Sequence, residues 1–398
     1  MPRTTPFHSR TEALSKGKRW EEWAGFLNAT MYELDHIHEY NSVRTGCGLF
    51  DVSPLYKYDV RGPDALALMN RIVVRDVSRC GVGQVIYTAW CDDQGKVIDD
   101  GTLAHVGANR FRMTAAIPNL YWLEENAGGL DVEIEDVSDA IAGLALQGPT
   151  SRDMLQQLTN ADLRGLGYFR CTEDSVAGAP ALITRTGYTG DLGYEIFVDR
   201  EVAEPLWDAL MEIRRDFKMR PAGGVALDLA RIEAGLLLIE ADFTSSKQTM
   251  FEVQKMSPYD LGLGWMVDLG KDFFVGQQAL RREKERGSRW ATVGIELDVT
   301  GLEKAYAQFD MPLQLPARPW NGAVPIYADA AQRHHIGRGN SGTWSPLLKK
   351  YIVIARVEAK YGERGTRFFI EEMVEAKSFS IPATVVQMPF YDPPHKKA

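Results

Sequence analysis

The sequence has few of the features that mark membrane, secreted or nucleic-acid-binding proteins. No apolar run reaches the roughly 18 residues of a membrane-spanning helix, and the first twenty residues lack the apolar stretch of a signal peptide. The net charge of −9 argues against nucleic acid as a partner, because phosphate binding needs a basic face. We therefore expect a cytoplasmic protein with neither a membrane nor a nucleic acid as its partner.

Cysteine and histidine are also scarce. The four cysteines form no Cys-x-x-Cys pair and are spread over more than a hundred residues, which argues against a disulfide framework and a zinc site. The seven histidines show no ligand spacing, so we expect no metal. With 398 residues, of which 45% are hydrophobic, the chain is long enough for two or three domains with cores of their own.

Alternating apolar residues and turn signals predict short strands over the first half of the chain. Residues 56–60 and 84–90 alternate like strands, and residues 92–95 (DDQG) are typical of a hairpin turn. The return strand is predicted over residues 96–98. Asp99 and Asp100 then stand at its end.

Three segments have the apolar spacing of helices. They cover residues 18–28, residues 201–217, and a stretch that runs from the Gly223-Gly224 joint to about residue 238. We expect the first to pack its aromatic residues into the core. A charged stretch at 281–287 (RREKERG) then predicts a domain boundary near 288, after which strands and Gly/Pro turns predict a β domain.

A strand, a Gly-Pro pair and a helix occur twice in the same order. Residues 60–69 (VRGPDALALM) are matched by residues 146–155 (LQGPTSRDML). The repetition predicts two similar subdomains that face each other with a ligand between them. Chance similarity of two strand-to-helix junctions is the alternative.

The most informative segment covers residues 185–196 (RTGYTGDLGYEI). Its glycines allow the backbone to approach a ligand closely, and the strand pattern that follows holds Glu195 on a rigid element. A carboxylate there can accept two parallel hydrogen bonds from the aminopyrimidinone edge of a pterin. A glycine-rich hairpin with Glu195 facing water is the alternative.

Two further places carry charged groups that a site could use. Asp99 and Asp100 can raise one another's pKa or orient a nitrogen nucleophile, although acidic residues also end strands in ordinary turns. Arg231 opens a predicted apolar stretch, and it lies two residues before Glu233, so the two side chains cannot face each other on a helix. A ligand carboxylate and an inter-domain salt bridge are both possible partners of Arg231.

Taken together, these segments resemble those of the folate-dependent family of the glycine cleavage T-protein and its demethylase relatives. Nine collinear motifs carry the resemblance: residues 48–53 (GLFDVS), 95–100 (GKVIDD), 145–149 (ALQGP), 187–195 (GYTGDLGYE), 231–235 (RIEAG), 262–265 (GLGW), 274–276 (FVG), 339–346 (GNSGTWSP) and 388–392 (MPFYD).

The resemblance implies an α+β chain with a three-domain, cloverleaf-like T-protein fold, tetrahydrofolate in a central hole, and a C-terminal β-barrel-like domain. We place an N-terminal arm and helix at 1–45, a folate-binding region of two interleaved α+β subdomains at 46–288, and the C-terminal β domain at 289–398.

The resemblance also implies a role for each candidate residue. Asp100 matches the family's catalytic aspartate, with Asp99 beside it. Glu195 matches the glutamate that anchors the pterin, and Tyr188 and Tyr87 are candidate walls of the pocket. The remaining cofactor-binding candidates are Arg231, whose charge suits an anionic folate, and Thr114.

Several positions depart from the aminomethyltransferase pattern. Thr114 stands where an Asn is usual, Leu227 where an Arg is usual, and Ile239 where a Tyr is usual. The folate-demethylase branch is nearer at some of these points, yet it lacks the Gly-Tyr-Thr-Gly form at 187–190. We therefore hypothesise a tetrahydrofolate-dependent demethylase that takes a methyl group from sulfur, nitrogen or oxygen of a small substrate, with Asp100 orienting the folate nitrogen.

Two alternatives stay open. One is an aminomethyltransferase of the glycine cleavage system, which would need a lipoyl carrier protein as its partner. The other is a non-enzymatic folate-binding protein of iron–sulfur assembly, although the cysteine motif of such relatives is absent at residues 272–278 (DFFVGQQ).

Overall fold

The computed structural model describes residues 2–397, which contain twenty strands and nine α-helices. The strands are β1 (Arg3–Thr4), β2 (Arg19–Trp23), β3 (Phe26–Met31), β4 (Cys47–Asp51), β5 (Tyr56–Arg61), β6 (Val85–Cys91), β7 (Val97–Gly107), β8 (Arg110–Ala115), β9 (Glu133–Asp136), β10 (Ile141–Gln147), β11 (Cys171–Val176), β12 (Ala179–Thr184), β13 (Gly193–Asp199), β14 (Met219–Pro221), β15 (Trp290–Leu297), β16 (Trp320–Tyr327), β17 (His335–Ser345), β18 (Lys350–Glu358), β19 (Arg367–Val374) and β20 (Lys377–Val386). The helices are α1 (His8–Leu14), α2 (Ile37–Thr45), α3 (Ala65–Ile72), α4 (Leu120–Asn126), α5 (Ser151–Gln156), α6 (Ala203–Ile213), α7 (Gly224–Glu233), α8 (Gln277–Arg286) and α9 (Val299–Ala307). Within residues 2–397, none of these helices has the length and apolar character needed to cross a membrane.

The N-terminal strands form a small sheet in the order β1-β3-β2. This sheet contradicts the helix predicted over residues 18–28. Ala24 and Gly25 both have positive φ, at 48° and 81°, and form a two-residue hairpin turn in which Trp23 pairs with Phe26. The aromatic spacing fitted a helix, but the turn residues decide the structure because they reverse the chain.

A five-stranded sheet, in the order β6-β7-β8-β5-β9, carries the first half of the site. One of its faces packs with α3 and α4 around a core that includes Trp90, Leu103 and Phe111. Strand β7 runs for eleven residues, from Val97 to Gly107. Asp99 and Asp100 therefore lie inside a long strand, and the prediction that they end it is wrong.

A six-stranded sheet, in the order β11-β12-β13-β10-β4-β14, carries the second half. Its core contains Leu144, Leu146, Ile183, Ile196 and Trp207. The amphipathic helix predicted at 201–217 is present as α6, and Trp207 on this helix is 1% exposed. Strand β13 holds Glu195 between β10 and β12, as the alternating pattern predicts.

The Gly-Pro repetition is confirmed in both sheets, since β5 leads into α3 and β10 leads into α5. Gly62 and Gly148 have φ of +126° and +135°. An added Cβ would lie 2.5 Å from the carbonyl oxygen of Asp131 in the first case and 2.5 Å from that of Gly46 in the second. Both glycines are therefore required by the backbone conformation and by a close backbone approach.

The C-terminal strands close a barrel in the order β15-β18-β17-β16-β19-β20. Its interior is apolar, with Ile295, Val353 and Ile370 among its most buried residues. The prediction of a C-terminal β-barrel-like domain is confirmed.

Helix α7 lies among these units and ends at Glu233, earlier than the predicted residue 238. The chain turns away at Gly235, whose φ is +65° and whose Cβ would come within 2.4 Å of the Met388 side chain. The RIEAG motif therefore closes α7 instead of opening a helix. Its two charged residues bind in different directions, because Glu233 accepts hydrogen bonds from Tyr40 and Arg44 while Arg231 binds the barrel.

Two glycine substitutions separate the effect of close approach from the effect of backbone conformation. Gly148→Ala is expected to lower the free energy of unfolding by about 3 kcal/mol or more, since the methyl group would meet the Gly46 carbonyl in an already strained conformation. Gly178→Ala, at φ +82° with no atom within 4 Å, is the matched control and is expected to cost about 1 kcal/mol. Urea denaturation measures both, and equal losses would contradict the assignment.

Candidate active site

Asp99 and Asp100 point to opposite faces of the five-stranded sheet, because successive side chains of a strand alternate. Asp99 pairs with Trp90 across β6 and β7, on the face that packs against α3 and α4. Asp100 lies on the other face, where Tyr87 donates a hydrogen bond to its Oδ2 atom. The two carboxylates that were expected to act as a pair therefore lie in two separate environments, one on each face of the sheet.

Asp99 is fully buried and accepts hydrogen bonds from four N–H groups. Its Oδ1 accepts from the backbone of Asp100, at 2.8 Å. Its Oδ2 accepts from the backbone of Ala116 and Ile117, each at 3.0 Å, and from Nδ2 of Asn119 at 3.1 Å. Burial and the neighbouring Asp100 charge raise the pKa of Asp99, while the backbone N–H groups oppose that rise. Asp99 therefore stabilises the strand and the loop after β8, and it lies on the face of the sheet opposite to Asp100.

Asp100 is half-buried and free to act on a ligand. Burial raises its pKa, the Tyr87 hydroxyl lowers it, and the charge of Asp242 raises it further. A carboxylate with a raised pKa in a partly enclosed site is suited to accept a proton or to orient a nitrogen.

Aromatic side chains stand around Asp100. Tyr188 is half-buried, and its hydroxyl donates to the carbonyl of Leu237. Burial raises the pKa of Tyr188, and so does the charge of Asp100, which lies close by. The ring of Trp265 lies 6.4 Å from that of Tyr87 and is 63% exposed. The predicted walls Tyr87 and Tyr188 are therefore brought to one place with Asp100.

Thr114 lies beside this group on β8, but its hydroxyl is hydrogen-bonded to another residue of the protein. Its hydroxyl lies 2.6 Å from that of Thr102, and it also accepts from the backbone N–H of Thr102. Thr102 pairs with Tyr87 across β6 and β7. Thr114 thus stabilises the edge of the site through Thr102, and its direct contact with a ligand stays a prediction.

Glu195 has one occupied and one free carboxylate oxygen. Thr186 and Thr184 both donate to Oε2, whereas no hydrogen-bond donor of residues 2–397 reaches Oε1. Burial raises the pKa of Glu195, and the two threonine hydroxyls oppose this. The carboxylate is therefore oriented by the protein and keeps an oxygen for a ligand.

The glycines of the segment 185–196 serve a protein side chain. A Cβ on Gly187 would lie 1.9 Å from Oε1 of Gln147, and a Cβ on Gly193 would lie 2.2 Å from the same atom. Gln147 donates to the carbonyl of Thr186 and accepts from the hydroxyl of Thr189. The expectation that these glycines bring the backbone close to a ligand is therefore corrected at Gly187 and Gly193.

Arg231 is 0% exposed, and all five of its N–H donors are occupied. It binds Asp228, Asp242, the carbonyl of Leu236 and two barrel residues, namely Asn321 at 2.9 Å and Ser341 at 2.7 Å. No N–H group is left for a folate carboxylate. The contact of Arg231 with the barrel consists of hydrogen bonds to the uncharged Asn321 and Ser341, and its salt bridges are with Asp228 on the same helix and Asp242 shortly after it.

Two residues that hold the site were missed in the sequence. Thr186 binds Glu195, and Asn119 binds Asp99 while accepting from Trp90 at 2.8 Å. Thr186 could have been found, because it lies two residues after Thr184, the position paired with Glu195. Asn119 had no local signal, since its partners are about twenty residues away.

Comparison with known proteins agrees with this arrangement. Residues 7–271 match the GCVT N-terminal domain, and residues 307–392 match the glycine cleavage T-protein C-terminal barrel domain. The chain belongs to the glycine cleavage T-protein family. It is therefore an enzyme of a transferase family, and the T-protein fold expected from the motifs is confirmed.

Relatives in this family differ in the reaction for which they are named. An aminomethyltransferase from Caldanaerobacter subterraneus subsp. tengcongensis is 34% identical over 94% of this chain and 93% of its own length. A trimethylamine-oxide aldolase from Ruegeria pomeroyi is also 34% identical, over 99% of this chain but 47% of its own length. The crystal structure of aminomethyltransferase T from Bartonella henselae superposes with a TM-score of 0.83 at 24% identity, over 98% and 99% of the two chains.

Substituting either of the two neighbouring aspartates by asparagine is expected to change the free energy of unfolding in opposite directions. Asp99→Asn is expected to cost about 2 kcal/mol, because its NH2 group would face N–H donors in a buried site. Asp100→Asn is expected to stabilise the protein at pH 7 and above. The raised folded-state pKa makes the wild type lose stability as pH rises from about 4 through that pKa, and the amide removes this loss.

Denaturation of both variants between pH 4 and pH 8 measures these effects. The advantage of Asp100→Asn over the wild type should shrink towards pH 4, where the folded-state carboxyl group is protonated and the unfolded-state one, with a pKa of about 3.9, is about half protonated. A destabilised Asp100→Asn with a pH-independent loss would show that Asp100, like Asp99, supports the fold.

Proposed function

We propose that this enzyme transfers a one-carbon unit from a small methylated substrate to tetrahydrofolate. The observation that carries the proposal is that the two carboxylate oxygens of Glu195 differ in their hydrogen bonding. Two threonines donate to Oε2, and Oε1 is left for a ligand. The position of Glu195 on a central strand gives it the rigidity that recognition requires.

The residues of the site fit the proposed cofactor. An ionised carboxylate only accepts hydrogen bonds, and the aminopyrimidinone edge of a reduced pterin offers parallel N–H donors. Tyr87 and Tyr188 supply aromatic surface next to Asp100. When bound, tetrahydrofolate supplies ring nitrogens that accept the one-carbon unit.

The protein's own contribution is orientation and charge. The hydroxyl of Tyr87 holds the Asp100 carboxylate in one direction, and Asp99 holds the strand behind it. The Asp100 carboxylate can then accept a hydrogen bond from a nitrogen that becomes positively charged, or take its proton. Its raised pKa makes it a stronger proton acceptor than an exposed carboxylate.

A small methylated donor is proposed because two of the positions that depart from the aminomethyltransferase pattern, Thr114 and Ile239, lie beside this region. Thr114 directs its hydroxyl to Thr102 and offers no free amide. Ile239 and Tyr87 pack against the same buried cluster, and Leu227 places an aliphatic side chain on α7 against a different cluster. The usual Arg and Tyr at the last two positions would supply polar groups that are absent here.

One assay tests the donor and the acceptor together. The protein is incubated with tetrahydrofolate and either methylated sulfur, nitrogen and oxygen compounds or an aminomethylated lipoyl carrier protein, and the folate product is identified by mass. Methyltetrahydrofolate formed with a small donor is the expected result. Methylenetetrahydrofolate formed with the carrier alone would replace the demethylase with an aminomethyltransferase, which the 34% identity to such an enzyme makes the second candidate.

Substitutions in the two carboxylates should separate binding from turnover. Glu195→Gln is expected to weaken tetrahydrofolate binding by about 10- to 100-fold, the value of a charge-assisted hydrogen bond. Asp100→Asn is expected to lower kcat by about 100-fold or more with folate affinity nearly unchanged. Asp199→Asn, an exposed carboxylate on the same strand as Glu195, is the control.

Calorimetric titration with tetrahydrofolate and steady-state rates give the two quantities. If Glu195→Gln bound folate as well as Asp199→Asn does, Glu195 would not be the anchor. Unchanged folate turnover in Asp100→Asn would show that Asp100 is not the catalytic carboxylate, whereas folate binding without turnover of any donor by the wild type would favour a non-enzymatic role.

A further inference from the structure

The outer face of the barrel contains an arginine without a hydrogen-bond partner. Arg356, on β18, is 7% exposed, and its Nε and Nη1 atoms are fully enclosed. No acceptor of residues 2–397 bonds to any of its five N–H groups. Its one specific contact is with the ring of Trp290, whose centroid lies 4.8 Å from the guanidinium carbon.

The neighbours of Arg356 add positive charge instead of neutralising it. Arg338 is its register partner on β17, and Arg289 lies 5.1 Å from the same Trp290 ring. Burial lowers the pKa of Arg356 to about 10, and the charges of Arg338 and Arg289 contribute. Even so, the guanidinium stays charged at neutral pH.

The nearest carboxylate does not pair with this arginine. Asp260 is buried, and it accepts hydrogen bonds from the backbone of Ser257 at 3.0 Å and of Trp290 at 3.3 Å. It also lies 3.8 Å from Nζ of Lys96. Asp260 is therefore satisfied by other groups.

A buried guanidinium in this state is costly, because each unpaired buried donor loses its hydration without compensation. The neighbouring Arg338 has hydrogen-bonding capacity that bears on this cost. It is half-buried, and it uses only Nε, which donates to Asn340 at 3.1 Å. Its two terminal nitrogens make no hydrogen bond within residues 2–397, and neither is a fully buried atom.

We propose that Arg356 and Arg338 form a binding site for a small oxyanion, either a phosphate or a carboxylate. Planar guanidinium groups bind both classes through parallel N–H donors. The anion would bind Nη2 of Arg356, the nitrogen of this group that is not fully enclosed, together with the terminal nitrogens of Arg338, and its charge would offset that of the enclosed guanidinium. This site is separate from Glu195 and Asp100, so the proposal does not rest on the proposed function.

The anion site is connected to the region of the candidate active site through two hydrogen bonds. Arg338 holds Asn340, and Asn340 donates to the carbonyl of Asp242 at 3.1 Å. Asp242 in turn binds Arg231. An anion that fixes Arg338 would therefore also stabilise the junction between the barrel and α7.

Thermal unfolding with two probe anions tests the site. Phosphate and glutarate are each titrated at constant ionic strength against a chloride reference, with the wild type, Arg356→Met and Arg367→Met. The last variant removes the same charge from an exposed position on β19 of the same barrel. A saturable rise in the melting temperature of the wild type and of Arg367→Met is expected, with apparent affinity about tenfold or more weaker in Arg356→Met.

The stability order without an added oxyanion separates this role from simple packing. In chloride alone, Arg356→Met should be at least as stable as the wild type, because the substitution removes an unpaired buried charge. In saturating anion the wild type should become the more stable protein. A response to one probe alone identifies the ligand class. Equal responses of the wild type and Arg356→Met, or no response beyond chloride, would overturn the proposal.

Discussion

The relative placement of the sheets depends on the buried ion pairs at the end of α7. Arg231 and Glu233 are two residues apart, so they leave the helix in different directions. Arg231 binds Asp242 and the barrel, and Glu233 binds Arg44 and Ser345. Because burying charges is expensive unless every donor and acceptor is matched, each pair tolerates little displacement. One helix end therefore fixes α2, the barrel and the chain after α7 relative to one another.

The candidate site takes its shape from this junction. Arg231 donates to Asp242, and Asp242 accepts from the backbone of Leu238, which fixes the chain after α7. The neighbouring carbonyl of Leu237 then receives the hydroxyl of Tyr188. The side chain of Tyr188 is therefore positioned by a chain of contacts that begins at the Arg231–Asp242 salt bridge. Groups that are placed on strands and held in this way need little rearrangement when a ligand binds.

Much of this could be predicted from local patterns, and the failures share one physical cause. Strands β5 and β6, the repeated Gly-Pro junction and the position of Glu195 follow from alternation and turn chemistry, which are properties of neighbouring residues. The role of Gly187 could not be found locally, because it depends on Gln147, forty residues away, which fills the space of the missing Cβ. Likewise, the donors that saturate Arg231 lie partly in the barrel. Burial and pairing across the fold decide such residues, and no local pattern records them.

The same reasoning explains why family membership leaves the donor open. The ion pairs of α7 and the packing of Gln147 belong to the framework, and a framework can serve several reactions. Relatives named for different reactions are equally identical to this chain. Donor choice must therefore come from the few side chains that touch the donor without supporting the fold. Asp100 is a candidate for such a role, since strand alternation places it opposite Asp99, with one hydroxyl partner in place of four N–H donors. Side chains with spare hydrogen-bonding capacity at this face are therefore the positions to vary in a search for the donor, whereas Arg231 and the glycines beside Gln147 are occupied by the protein's own contacts.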